Sequence, residues 1–73
     1  MKEIVKLFSR NVREYCHQNE LSAQDLSKST AINIEIIEAI WEGKHDPDLE
    51  QVGKIAAALN IAPHLLLMDA MQK

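Results

Sequence analysis

The stretch of sequence that decides the fold is "LSAQDLSKSTAINIEIIEAIWEG", residues 21–43. Its first helix is predicted to begin at Ser22, because Asp25 follows at the spacing of a reciprocal N-terminal cap. In such a cap each side chain accepts a hydrogen bond from a backbone N–H that has no partner inside the helix. The pattern therefore predicts a short helix over residues 22–29.

The second half of this stretch predicts another short helix, over residues 33–42. Asn33 is a good N-cap residue, and Gly43 stands just after the helix, where many helices end in a left-handed conformation. Ile37 and Ile40 are three residues apart and share one helix face, which we expect to be buried. The helical period then turns the remaining side chains outward: Glu35, Glu38, Ala39 and Glu42. Two helices joined by a tight turn therefore occupy the middle of the chain.

Helices are also predicted on both sides of this pair. A first helix is predicted over residues 2–19, because apolar residues recur there at helical spacing: Val5, Phe8, Val12 and Tyr15. Asp48 and Gln51 repeat the capping pattern and open a fourth helix. Asn60 suits the left-handed position at the end of that helix.

The end of the chain predicts a last helix and a contact between two copies. Pro63 suits the first turn of a helix that ends near Met71. Leu65 and Leu66 are expected to complete the core. Leu67, Met68 or Met71 is then left outside, either as the contact of a homodimer or as the frayed end of the last helix.

The composition fits one small helical domain. Of the 73 residues, 47% are hydrophobic but only 4% are aromatic, so aliphatic side chains must build the core. The sequence lacks the alternation of apolar and polar residues that would predict a strand, so we expect an all-α fold. The expected architecture is a compact five-helix bundle that occupies residues 1–73 as a single domain. No apolar run approaches the ~20 residues that span a bilayer, so no membrane contact is expected. The single cysteine, Cys16, fits a reducing cytoplasm, where we expect the protein to be located.

Neither catalysis nor metal binding is indicated. The sequence places no nucleophile with a base and an orienting acid, and it contains no glycine-rich phosphate loop. His17, His45 and His64 have no Cys or His partner at the spacing of metal ligands. We therefore expect no enzymatic activity, no cofactor and no metal.

Apolar, capping and turn residues recur at fixed spacing along much of the chain: Leu21, Ser22, Leu26, Ile32, Ile37, Ile40, Gly43, Pro47, Ala56, Leu59 and Ile61. On these residues, positions 8–67 resemble a known family, the Cro/C1-type (XRE-like) helix–turn–helix domain of phage repressors and many bacterial regulators. The resemblance implies a lambda-repressor-like bundle in which residues 22–29 stand over the DNA backbone and residues 33–42 form a recognition helix in the major groove. It also implies a repressor-like, dimeric regulator of transcription.

The resemblance further implies which residues meet double-stranded DNA. Ile34 matches a base reader able to touch a thymine methyl, and Glu35 matches one able to accept a hydrogen bond from cytosine. Ala23 and Ala39 match two further reader positions and offer methyl contacts alone. The full implied set adds positions near phosphates and the start of the recognition helix: Ser22, Ala23, Lys28, Asn33, Ile34, Glu35, Glu38, Ala39 and Lys44.

The charge of this region works against strong DNA binding. Residues 31–50 hold six acidic side chains and one lysine, a local charge of −5, within a chain whose net charge is −3. Counterion release by Lys and Arg normally supplies much of the affinity for DNA. Basic residues recur instead on the first helix, where they either follow a phosphate backbone, meet an acidic partner or form an ordinary solvated face: Lys2, Lys6, Arg10 and Arg13.

A second interpretation keeps the fold and replaces DNA by a protein partner. Ile34, Glu35, Ile36 and Glu38 form an outward face of aliphatic and acidic groups that suits a basic or mixed protein surface. Residues 30–46 also look locally like the cytoplasmic domain of a bacterial cell-shape protein, which docks its helix–turn–helix on an actin-like filament. Such a module binds DNA weakly or not at all.

Two departures from the family concern packing and the turn. Cys16 and Trp41 stand where several phage repressors pair an Arg with a Glu between the first and third helices. We expect Trp41 to pack near Cys16 and to maintain this contact by apolar packing. Ala31 stands where the family usually has Gly, so a positive φ at this turn would strain its backbone.

Overall fold

Four α-helices account for most of residues 3–68, the part of the chain that the computed structural model describes. They are α1 (Glu3–Gln18), α2 (Ala23–Thr30), α3 (Ile34–Trp41) and α4 (Leu49–Leu59), and a one-turn 3-10 helix (Pro63–Leu66) follows. The described residues contain no strand, which confirms the all-α prediction. The radius of gyration is 10.8 Å, close to the ~11 Å of a compact folded chain of this length.

The last predicted helix is shorter than expected and of a different type. It begins at Pro63 as expected, but it is a single 3-10 turn that ends at Leu66. The Asn11 side chain explains this end, because its Nδ2 donates to the carbonyl oxygen of Leu66 at 2.8 Å and to that of Met68 at 2.7 Å. In a longer helix these carbonyls would accept hydrogen bonds from backbone N–H groups of the helix itself, but here they accept from a side chain of α1. The stretch toward Met71 lies outside the described residues.

Reciprocal caps fix the starts of α2 and α4, as the sequence predicts. Ser22 Oγ accepts from the N–H of Asp25 at 3.1 Å, and the N–H of Ser22 donates to Asp25 Oδ2 at 3.0 Å. Asp48 Oδ1 accepts from the N–H of Gln51 at 2.8 Å, and Gln51 Oε1 accepts from the N–H of Asp48 at 3.3 Å. Asn60 ends α4 in the left-handed conformation with φ +60°. Both helix starts are therefore set by four-residue signals.

The core is mainly aliphatic, and every helix contributes to it. The predicted face of α3 is buried, with Ile37 and Ile40 both 0% exposed. The predicted apolar face of α1 is also buried, apart from the half-buried Tyr15. The buried cluster comprises Phe8, Val12, Cys16, Leu26, Ile32, Ile37, Ile40, Val52, Ile55, Ala56, Leu59 and Leu66.

The C-terminal end of α3 is fastened to α1. The buried Ser9 hydroxyl donates to the carbonyl oxygen of Trp41 at 2.9 Å. Gly43 follows the end of the helix and has φ +76°, in the left-handed region where glycine is favoured. These contacts fix the direction in which the outer face of α3 points.

No helix within residues 3–68 has the length and apolar composition that crossing a bilayer requires.

Candidate nucleic-acid interface

Two hydroxyl groups hold the turn between α2 and α3. Thr30 Oγ1 donates to the carbonyl oxygen of Leu26 at 2.7 Å and accepts from the N–H of Ile32 at 3.2 Å. Ser27 Oγ donates to the carbonyl oxygen of Ile32 at 2.5 Å. Ala31, between these contacts, has φ +61°, so the positive φ that the sequence raised as a source of strain is present. The turn is therefore rigidly bonded but carries a residue that its backbone disfavours.

Asn33 begins α3 as expected. Its side-chain oxygen accepts from the N–H of Glu35 at 2.7 Å, and its carbonyl oxygen accepts from the N–H groups of Ile36 and Ile37 at 3.0 and 3.1 Å. Asn33, a predicted DNA-binding residue, is exposed, and its side chain already serves as the cap of α3.

The solvent-facing side of α3 is acidic. Glu35, Glu38 and Glu42 are all exposed, as their helical spacing predicts, whereas Ala39 is half-buried. No basic residue lies within α3. The surface that the resemblance assigns to the major groove therefore presents carboxylates where phosphates and base edges would lie.

The aliphatic part of the predicted protein-binding face is less available than expected. Ile34 and Ile36 are half-buried, because both pack against the hydrophobic core. The other two residues of this face, Glu35 and Glu38, are exposed, so its accessible part is acidic. The helical spacing places the isoleucines at the edge of the buried face, which the sequence interpretation did not take into account.

The start of α2 already holds an anion. The N–H of Ser22 donates to the Asp25 carboxylate, and its hydroxyl donates to the same oxygen at 3.1 Å. These hydrogen bonds, together with the nearby charge of Lys28, lower the pKa of Asp25 below its ordinary value of 3.8. A carboxylate thus lies beside the helix N-terminus where the resemblance predicts a phosphate, and Ala23, the neighbouring predicted contact, is half-buried.

The two lysines expected near phosphates differ in their surroundings. Lys44 Nζ lies 3.2 Å from Glu42 Oε1, and both side chains are exposed. A pair of this kind contributes at most about 1 kcal/mol, so a phosphate can displace the carboxylate at small cost. Lys28 is exposed in the last turn of α2. Lys28 is therefore the better placed of the two.

Sequence reasoning missed Gln24. Its side chain lines a shallow groove between α2 and α3 together with Ser27, Lys28 and Ile34. An exposed glutamine offers both a donor and an acceptor, which suits adenine or a phosphate oxygen. The sequence did carry a signal, because Gln24 is a polar residue that directly follows the predicted contact Ala23 and faces outward on α2.

The basic stripe of α1 faces the far end of α3. Lys6, Arg10 and Arg13 are exposed, whereas Lys2 lies outside the described residues. Lys6, Arg10 and Arg13 line a groove with Glu42, and the two arginines line a second groove beside Trp41. The stripe therefore adjoins the C-terminal end of α3 and contributes no side chain to the α2–α3 groove.

Trp41 is half-buried and packs against the core cluster that contains Cys16. Cys16 is 0% exposed, and burial raises the pKa of its thiol to about 11. The thiol is thus protonated and shielded near neutral pH, which makes it a packing group.

Within residues 3–68, no cluster of His, Cys, Asp or Glu is arranged to hold a metal ion.

Comparison with known families identifies the same stretch that the sequence singled out. The family model for the Cro/C1-type helix–turn–helix DNA-binding domain matches residues 11–67, more than three quarters of the chain. The match includes α2, α3 and α4 in full. No match was found among curated proteins or among solved structures.

Proposed function

The chain belongs to the Cro/C1-type helix–turn–helix DNA-binding domain family, and we propose that it is a non-enzymatic regulator of transcription that binds duplex DNA through α2 and α3. One observation carries the proposal: the family match covers two capped helices joined by a hydrogen-bonded turn, with Lys28 and Ile34 lining the groove between them. This is the arrangement that places one helix across the backbone and the next in the major groove.

The proposed contacts are few and suit a modest affinity. Lys28 and Lys44 meet phosphates, while Ile34 touches a thymine methyl and Glu35 accepts from a cytosine amino group. Gln24 adds a polar contact from α2. The remaining implied residues, which are small or already engaged in capping, shape the approach to DNA: Ser22, Ala23, Asn33, Glu38 and Ala39.

A dimer compensates for the small number of contacts in each copy. Met68 is 46% exposed and follows the 3-10 turn, so it offers apolar surface for contact between copies. Two copies related by a two-fold axis would meet half-sites about one turn of DNA apart, and each contact would count twice. Sedimentation equilibrium, which measures the oligomeric state, tests this part of the proposal with the protein alone and with a palindromic duplex added.

The test of DNA binding is affinity measured against salt, by fluorescence anisotropy with a mixed-sequence duplex. Two phosphate-neutralising lysines predict that log K falls with log salt with a slope of about −2 for each copy. Lys28→Ala should weaken binding on every sequence and make the slope shallower by about one. Lys54→Ala is the matched control, since Lys54 is an exposed lysine of α4 that pairs with Glu50. Binding no tighter than about millimolar at low salt would contradict the proposal.

The exposed carboxylates of α3 support a second candidate, a protein-interaction module with weak or no DNA binding. Glu35→Lys combined with Glu38→Lys separates the two functions, because it should raise non-specific DNA affinity at least tenfold and destroy a protein interface on this face. Glu14→Lys combined with Glu20→Lys is the matched control, since it gives the same change in net charge outside α2 and α3. Equal effects of both double variants would show that α3 has no special role.

A further inference from the structure

Most of the large hydrophobic side chains that remain exposed within residues 3–68 gather at one place. Leu49 is 86% exposed, Ile4 43% and Leu67 36%. All three line one groove of about 690 Å³, whereas Met68, 46% exposed, is outside that lining. Single exposed hydrophobic residues are ordinary, but a group of them around one concave surface marks an interaction site.

The groove has an apolar floor and lies away from the helix–turn–helix. Core side chains form its floor: Val5, Phe8 and Val52. Its walls come from the start of α1, residues 46–50 and Leu67. None of its lining residues in the described part of the chain belongs to α2 or α3. A molecule in this groove and DNA on α3 therefore use different side chains.

The exposure of Leu49 has no explanation in folding. Leu49 is the first residue of α4, and the cap of that helix is supplied by Asp48 and Gln51. A polar residue at this position would leave the cap intact and remove the cost of a hydrated leucine. The groove accordingly maintains an apolar rim beyond what the start of the helix needs.

The charge around the groove selects the occupant. Asp46, Asp48 and Glu50 line it, and the lining within residues 3–68 includes no Lys or Arg. Lys54 lies 3.3 Å from Glu50 in an exposed pair, which contributes little to stability and which a basic partner can displace. A second copy docked about a two-fold axis would bring two such acidic rims together, and like charges in contact oppose association.

We propose that this groove docks a basic amphipathic helix of another protein. The apolar face of that helix lies on Val5, Ile4, Leu49 and Leu67, and its lysines or arginines meet the acidic rim. Helix-in-groove binding uses this combination of apolar anchors and flanking charge. The proposal does not depend on DNA binding, because α2 and α3 take no part in it.

The test uses two synthetic helices added to the isotope-labelled full chain and followed by NMR amide shifts. One is a peptide of about 18 residues, five helical turns, with leucines on one face and lysines on the other. The other is identical except that every lysine is replaced by glutamate. The lysine peptide should bind at least tenfold more tightly, with shifts centred on Leu49 and Val52. Equal binding of the two peptides would overturn the charge argument.

Two substitutions locate the site. Leu49→Ser should weaken binding of the lysine peptide at least tenfold, and Leu49 is so exposed that the fold does not depend on it. Ala57→Ser is the matched control, since it changes an exposed apolar residue of the same helix outside the groove and should leave binding unchanged. Shifts centred on Glu35 and Glu38 would overturn the proposal in favour of general attraction to acidic surface. Shifts of the groove amides that depend on protein concentration without peptide would overturn it in favour of a second copy.

Discussion

The α2–α3 unit and the segment after α4 are held in place by different kinds of contact. Within the α2–α3 unit, its own caps and hydroxyl groups bond to backbone no more than five residues away, as Ser27 does to the carbonyl oxygen of Ile32. One contact from α1, the Ser9 hydroxyl on the carbonyl oxygen of Trp41, is added at the end of α3. The segment after α4 is held by Asn11, which is separated from the carbonyl of Leu66 by 55 positions in the chain. The unit that presents the proposed DNA surface therefore has local hydrogen bonds of its own, whereas the described residues after α4 take their side-chain hydrogen bonds from one distant residue, Asn11.

The largest expected effect comes from removing the core anchor of the α2–α3 unit. Ile37 is 0% exposed, so Ile37→Ala should cost about 3 kcal/mol of unfolding free energy by loss of burial and creation of a cavity. Urea denaturation followed by circular dichroism measures the loss. Ile36→Ala is the control, because Ile36 is half-buried and should lose much less. Ile37→Val, costing about 1 kcal/mol, keeps the comparison measurable if the alanine variant is unfolded. Equal losses at positions 36 and 37 would contradict the burial pattern.

The next effect tests the distant contact. Asn11→Ala removes both hydrogen bonds to the segment after α4 and should cost about 2 kcal/mol, since two carbonyl groups lose their partner. Asn11→Asp should cost more, because a carboxylate would face the carbonyl oxygens of Leu66 and Met68. Asn19→Ala is the control, because Asn19 makes an exposed hydrogen bond to the carbonyl of Tyr15.

Hydrogen exchange shows where the Asn11 variants act. Amides that follow α4 should lose protection first, while those of α2 and α3 lose protection only with global unfolding. Uniform loss of protection along the chain would mean that the two regions are one cooperative unit. The contrast between local and distant support would then have no consequence for dynamics.

This contrast also explains which parts of the structure could be predicted from the sequence. Ser22, Asn33, Asp48 and Asn60 act within a few residues of their own positions, so spacing alone predicted their roles. The clamp by Asn11 and the shortened last helix depend on a contact across the chain, for which no local signal exists.

The proposed interface was predicted in the same uneven way. Helical periodicity correctly placed Glu35, Glu38 and Glu42 at the surface. It did not reveal that Ile34 and Ile36 are half-buried, because burial at the edge of a helix face depends on how the neighbouring helices pack. Periodicity also did not predict that Gln24 and Ile34 line the same groove, because their proximity depends on the angle between α2 and α3.

A smaller effect of opposite sign tests the turn. Ala31→Gly should stabilise the protein by about 1 kcal/mol, because φ +61° is unfavourable for alanine and free for glycine. Ala57→Gly is the control, since Ala57 is exposed in the interior of α4 and glycine there should destabilise by about 1 kcal/mol. Thermal unfolding of the two variants should shift in opposite directions. A shared direction would mean that the turn is relaxed with alanine.

The smallest effect concerns the cap at the start of α2 and its dependence on pH. The hydrogen bonds from Ser22 lower the pKa of Asp25 below 3.8, its ordinary value in an unfolded chain. The stabilisation is therefore fully present above that value and is lost as the pH falls through the lower pKa of the folded state. Asp25→Asn should reduce the free energy of unfolding near neutral pH, and its difference from the unsubstituted protein should shrink in acid.

Urea denaturation repeated across the acidic range measures that difference. Glu14→Gln is the control, because Glu14 is an exposed carboxylate inside α1 that caps no helix. If Asp25→Asn lowered stability equally at every pH, the cap would act through hydrogen bonding alone, without its charge. The carboxylate would then stabilise the start of α2 no more than a neutral acceptor does, although it would still occupy the place that the family resemblance assigns to a phosphate.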